Sequence, residues 1–221
     1  MFSLKNKVAL VTGGAAGIGA GIARDFLKEG VKFVAILDIN EDAGRVLVQE
    51  LTEKYDKSRI QFIKCDVTKE EELNKSFGQI IEDNSYIDII VNSAAIANDA
   101  EYRKEIELNL TALIASSIKG LELMRKDKGG KGGTIINISS ISALSLMSPN
   151  AFVYGATKAG VLHFTTSIGK EGYYSKTGVR TICMCYGSTN TGMIRAIIFG
   201  VSQHYIALPN LISEYKKLRK S

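Results

Sequence analysis

The sequence predicts an α/β protein with a mostly parallel sheet of six or seven strands and helices on both faces. Three observations carry this. Strand-like and helix-like segments alternate from residue 7 to residue 187. The strand segments are near-continuously apolar, as strands buried on both faces must be. The first strand runs directly into a glycine-rich turn that opens a helix.

"KVALVTG" (7–13) is a β-branched run closed by glycine, hence a buried strand. "GIGAGIARDFLKEG" (17–30) has apolar residues at helical spacing and ends on a glycine suited to a C-cap. "KFVAILD" (32–38) is the second strand and "EDAGRVLVQELTEKY" (41–55) the second helix. "RIQFIKCDV" (59–67) is the third strand, followed by "KEEELNKSFGQIIEDN" (69–84), a helix with acids in its first turn. "IDIIVNSA" (87–94) is the fourth strand, and residues 101–127 read as one long helix. "KGGKGG" (128–133) is a polar link too short to separate domains. "GTIINISS" (133–140) is the fifth strand, residues 152–175 a helix, and "VRTICMCYG" (179–187) the sixth strand. Right-handed crossovers wind such an order into one doubly wound, Rossmann-type sheet. Residues 1–221 are expected to form a single dinucleotide-binding domain.

The bulk numbers narrow the function classes. The chain has 221 residues, 45% hydrophobic and 23% charged, with a net charge of +5. The densest basic run, "KKLRK" (216–220), reads as a solvated helix end, and no nucleic-acid motif accompanies it. No apolar run approaches the ~18 residues that span a membrane, and no signal peptide is expected. Cys65, Cys183 and Cys185 are an odd count without metal-ligand spacing, which suggests reduced thiols and a cytoplasmic setting.

"TGGAAGIG" places Gly13, Gly17 and Gly19 where the first strand meets the first helix. A diphosphate needs close approach to backbone N–H groups at a helix N-terminus, and a Cβ would push it away. The second strand ends at Asp38, 19 positions after Gly19. A carboxylate there can accept both ribose hydroxyls and repels a 2′-phosphate. Residues 15, 16 and 39 carry no Arg or Lys to offset that repulsion, so NAD is expected as cofactor rather than NADP. Asp66, closing the third strand, either bonds an adenine amino group or caps the following helix.

Strand ends carry ligand sites in open α/β sheets, and the fifth strand ends in Ser139 and Ser140. Tyr154 follows 14 positions beyond Ser140, with Lys158 four positions later on the same helix face. A phenol near pKa ~10 becomes a usable base when an ammonium and an oxidised nicotinamide favour the phenolate. The expected chemistry is hydride transfer between a secondary alcohol and NAD.

Taken together, "TGGAAGIG", "CDV", "VNSAA", "LNL", "NISS" and "YGATK" resemble the short-chain dehydrogenase/reductase family over roughly residues 5–192. "KDKGGKGGTIINISS" and "VYGATKAGV" are similar to its insect alcohol dehydrogenase and 15-hydroxyprostaglandin dehydrogenase-like branch. The resemblance implies catalytic roles for Ser140 (orienting substrate), Tyr154 (base), Lys158 (lowering the tyrosine and holding the nicotinamide ribose) and Asn109 (holding a proton-relay water). It implies cofactor contacts from Gly13, Gly17, Ile18, Gly19, Asp38, Ile39, Asp66, Val67, Asn92, Tyr154, Lys158 and Gly187, and no metal. It also implies a small-molecule alcohol or ketone substrate and a homodimer or homotetramer.

The chain departs from the family pattern in places. Ser93 and Ala95 stand where Asn and Gly are usual, Tyr186 stands where proline is usual, and the step from Ser140 to Tyr154 is one residue longer than expected. Residues 188–221 form a divergent, shortened substrate-side region with no good seventh strand. The second reading is therefore a cofactor-binding but catalytically weak member with a binding or structural role.

Overall fold

The structure is a computed structural model and describes residues 3–145, 151–187 and 189. Six strands form one sheet: β1 (Val8–Thr12), β2 (Phe33–Asp38), β3 (Ile60–Lys64), β4 (Ile89–Asn92), β5 (Gly133–Ser140) and β6 (Val179–Tyr186). Their order is β3-β2-β1-β4-β5-β6, and every pairing is parallel. Strand order reverses between β1 and β4, the switch point at which open α/β sheets hold their ligands. All six strand assignments from the sequence hold; a seventh would fall outside the described residues.

The helices are α1 (Gly17–Lys28), α2 (Glu41–Thr52), α3 (Glu70–Asn84), α4 (Tyr102–Ile106), α5 (Leu113–Met124), α6 (Phe152–Ile168) and α7 (Glu171–Thr177). They cover both sheet faces, because β1, β2 and β4 are buried on both. One core packs Leu10, Leu37, Phe77, Ile90 and Ile135; the other packs Val11, Ala23, Leu27, Ile36 and Val91. Two expectations are refined. The long helix is continuous but holds a π-helical turn, Glu107–Ala112, between α4 and α5. The helix after the fifth strand ends at Gly169, whose Cβ would meet the Thr181 hydroxyl at 2.6 Å, and restarts as α7.

A buried polar seam crosses the sheet. Asn92 Nδ2 donates to Asn137 Oδ1 (2.8 Å) and Ser117 Oγ (3.0 Å), and Ser116 Oγ donates to Asn92 Oδ1 (2.7 Å). Asn137 Nδ2 donates to Thr165 Oγ1 at 3.0 Å. The seam joins β4, β5, α5 and α6, and every member finds a partner. Such a network specifies one packing only while it is complete. Among the described residues, no helix is long and apolar enough to cross a membrane, and no cluster of His, Cys, Asp or Glu could hold a metal. Asn137→Ala should remove one hydrogen bond from each of three buried partners, Asn92, Ser117 and Thr165, and destabilise the protein by about 2–4 kcal/mol, read as a lower urea midpoint. An unchanged midpoint would show that the seam contributes nothing to stability.

Candidate active site

The glycine turn is built by steric necessity. Gly13 and Gly17 have φ of 61° and 54°, in the left-handed region. A Cβ on Gly13 would sit 2.6 Å from Ala94 Cα, and one on Gly19 would sit 2.3 Å from the Gly13 carbonyl oxygen. The loop after β1 therefore presses against both α1 and the chain leaving β4. Thr12 Oγ1 fixes that contact by accepting from the Ser93 N–H (3.1 Å) and the Ala94 N–H (3.3 Å). The start of α1 has no side-chain cap and no acid in its first turn. Its free N–H groups and positive dipole end suit an anion such as a diphosphate. Ile18 is half-buried beside it.

Asp38 closes β2, partly exposed. Its Oδ2 accepts from the Ala15 N–H (3.1 Å) and its Oδ1 from the Asn40 N–H (2.9 Å). The carboxylate thus braces the glycine turn, and each oxygen keeps a lone pair for a ribose hydroxyl. Ile39 beside it is 64% exposed, an apolar surface at the expected adenosine position. Asp66 does not cap α3; that position is Lys69. Asp66 Oδ1 instead accepts from the Thr68 N–H (3.0 Å) and hydroxyl (2.7 Å), folding the turn beside buried Val67.

Two predicted residues face inward. Asn92 is 2% exposed and its side chain is spent in the polar seam, so only its backbone borders the crevice. Asn109, wholly buried in the π-helical turn, clamps the loop after β4: its Oδ1 accepts from the Ile96 N–H (2.9 Å) and its Nδ2 donates to the Ile96 carbonyl (2.8 Å). Nδ2 also reaches Thr157 Oγ1 on α6 at 3.3 Å. Gly187, exposed, leads from β6 toward residues outside the described set.

Ser140, Tyr154 and Lys158 come together at the C-terminal end of β5. Ser140 Oγ accepts from the Ser142 N–H at 3.1 Å, which orients the hydroxyl. Ser139 donates to the Lys158 carbonyl (2.8 Å), tying α6 to the strand end. The Lys158 ammonium lies 5.5 Å from the Tyr154 ring centroid and donates to the Ile138 carbonyl at 2.9 Å. Lys158 is 2% exposed, and burial lowers it from 10.5 to about 8; Cys183 and Glu105 act the other way. Burial also raises Tyr154 above its ordinary value, with the Ser140 hydroxyl pulling it down and the Glu105 charge pushing it up. From sequence, the lysine is expected to lower the phenol. In the structure burial raises the phenol instead, and the ammonium flanks the ring face.

Sequence reasoning missed Asp99 and Glu105. Glu105 is wholly buried on α4, next to Tyr154 and Lys158. Its signal was present: it lies four positions before Asn109, on the same helix face.

These features agree with comparison to known proteins. A family model described as short chain dehydrogenase matches residues 7–198. The chain is 37% identical over 194 residues to a 15-hydroxyprostaglandin dehydrogenase [NAD(+)] of Macaca fascicularis, covering 88% of this chain and 72% of that one. It is 32% identical over 189 residues to alcohol dehydrogenase 1 of Ceratitis cosyra, covering 86% and 72%. Among solved structures, a 3-ketoacyl-(acyl-carrier-protein) reductase from Brucella melitensis, complexed with NADH, superimposes with a TM-score of 0.77 at 25% identity, covering 87% of this chain and 80% of that one. A levodione reductase shares the fold, with a TM-score of 0.81 at 23% identity over 91% and 79%. With its glycine turn, its Ser-Tyr-Lys cluster and its matched span, the chain belongs to the short-chain dehydrogenase family.

Proposed function

We propose that the protein is an NAD-dependent alcohol dehydrogenase that interconverts a secondary alcohol, small or lipid-like, and its ketone. The observation that carries this reading is Lys158. Among the described residues it has one hydrogen bond and no carboxylate in contact, at 2% exposure. A lysine so placed opposes folding, and such a group is kept where chemistry needs it. It stands one helical turn from Tyr154, at the strand end that also holds Ser140.

The glycine turn fits a dinucleotide diphosphate, since a Cβ at Gly13 or Gly19 would collide with backbone. The N–H groups at the start of α1 would hold the diphosphate, and Asp38 the adenosine ribose. When bound in oxidised form, the nicotinamide supplies a hydride acceptor and a positive charge beside Tyr154. Ser140 Oγ orients the substrate oxygen. Tyr154 Oη takes the hydroxyl proton, and Lys158 Nζ adds positive charge beside the ring while holding the end of β5 through Ile138. Asn109 sets the distance between the loop after β4 and α6. The second reading, a catalytically weak cofactor-binding protein, is favoured by Tyr186, which packs against the core where the family usually has proline. Turnover of NAD to NADH with a panel of secondary alcohols separates the two.

The protein should bind NADH far more tightly than NADPH, because Asp38 repels a 2′-phosphate. Reduced-nicotinamide fluorescence titration checks this, and equal affinities would overturn the assignment. Asp38→Ala should narrow the gap.

Tyr154→Phe should retain the fold and NAD affinity while turnover falls by about 10²-fold or more. Lys158→Met should also lose turnover, yet it should be the more thermally stable protein at pH 7. The sign follows from the depressed lysine: the penalty for charging a buried ammonium is absent above its unfolded value, grows as pH falls from there, and is complete below about 8. The stability advantage of Lys158→Met should therefore shrink as pH rises toward 10. A variant less stable than wild type at every pH would mean that the ammonium stabilises the fold.

We also infer a homodimer. Tyr102, Ile106, Ile118 and Phe152, on α4, α5 and α6, are between 40% and 69% exposed, more apolar surface than contact with the sheet requires. Light scattering at micromolar concentration should give the mass of two chains, and a monomer would refute it. Three free cysteines fit a reducing, cytoplasmic setting.

A further inference from the structure

Three buried carboxylate oxygens near the Tyr154 turn meet no donor among the described residues: Asp99 Oδ1, Glu105 Oε1 and Glu105 Oε2. Glu105 is wholly buried, and the Asp99 carboxyl and the Asn98 N–H lie near its own carboxyl. Asp99 is engaged on its other side. Its Oδ2 accepts from the Phe152 N–H at 2.8 Å, across 53 positions of chain. That N–H opens α6, whose flanking residue Ala151 provides no side-chain cap. Two residues later stands Tyr154.

Ionised carboxylates accept hydrogen bonds and donate none. Two of them close together, with their facing oxygens shut off from water, repel each other and leave those oxygens unsatisfied. One proton held between them removes the repulsion and satisfies two of the three oxygens. We propose that Glu105 keeps its proton and donates it in a hydrogen bond to Asp99, the two together acting as a positioning pair for Tyr154 that caps the start of α6 through Asp99 and spares the phenol a second negative charge. The catalytic meaning of the pair rests on Tyr154 being the base, but its existence does not.

Burial is the main force raising Glu105, and the Asp99 charge and hydrogen bond add to it; the Asn98 N–H and the Lys158 charge act the other way. When Glu105 does ionise, its charge opposes the Tyr154 phenolate and favours the Lys158 ammonium. The other titratable groups on α4, its flanking turns and α6 are exposed: Glu101 pairs with Lys104 at 3.3 Å, Arg103 lies over the Tyr102 ring, and Glu107 and His163 face solvent.

A carboxyl raised on folding contributes stability that is fully present below its unfolded value, near ~4.3, and is lost as pH rises through the folded value. Glu105→Gln keeps a neutral donor of the same shape and does not titrate. The test uses the full chain with neither cofactor nor alcohol, so its outcome is independent of the proposed activity. Melting temperatures of wild type and Glu105→Gln are compared from pH 4.5 upward to about 8.5, within the range where carboxyls of this kind titrate. The variant should gain on wild type by about 2 °C or more as pH rises. The Tyr154 phenolate, read as the ultraviolet difference between each protein and its Tyr154→Phe counterpart, should appear at lower pH in Glu105→Gln. A melting gap independent of pH, or a phenolate that appears at the same pH, overturns the proposal. Should the variant not fold, carbon-13 spectra of glutamate-labelled wild type decide: one side-chain carboxyl should titrate above the ordinary glutamate range, and none doing so overturns it.

Discussion

The close approach of two chain segments at the β1/β4 switch point is the constraint on which the rest depends. The loop after β1 and the loop after β4 leave the sheet in opposite directions and meet at Gly13 and Ala94, with no space for a side chain between them. Thr12 locks the meeting with two backbone hydrogen bonds. Because those loops touch, α1 starts with its N–H groups facing the crevice, and the chain beyond β4 is aimed at Asn109. Asn109 in turn holds α6 through Thr157, so the position of Tyr154 traces back to a glycine more than 100 positions earlier.

The site combines two opposite uses of burial. The polar seam of Asn92, Ser116, Ser117, Asn137 and Thr165 satisfies its members and strengthens the sheet. A short distance away, Lys158 is buried with one carbonyl partner and Glu105 with none among the described residues. Groups of the first kind can be explained by folding alone. Groups of the second kind oppose folding, and both lie around one phenol, Tyr154.

The features legible in the sequence were those governed by local rules. Apolar runs without alternation gave all six strands and the parallel sheet, and glycines at a strand-helix junction gave the cofactor turn. Asp38 was legible as the residue that closes β2, because a strand end follows from the local pattern. Asn92 was not, because an asparagine at a strand end reads the same whether it faces the crevice or, as here, a core network on three other elements. The Asp99–Glu105 pair was illegible as a pair for the same reason: Asp99 is fixed by Phe152, 53 positions away. The effect of burial on Tyr154 also lay beyond the sequence, since spacing places Lys158 on the right face of the helix but not the ammonium relative to the hydroxyl.

The π-helical turn at Glu107–Ala112 has a consequence of its own. In an uninterrupted α-helix each residue advances the face by about 100°, so the inward sides of α4 and α5 would be bound to one phase. An extra residue in the turn frees them. Upstream, the helix is set to bury Glu105; downstream, it is set to bury Gly120, Leu121 and Met124. The turn works as a gear between chemistry and packing, and each half can drift in sequence without forcing the other to follow.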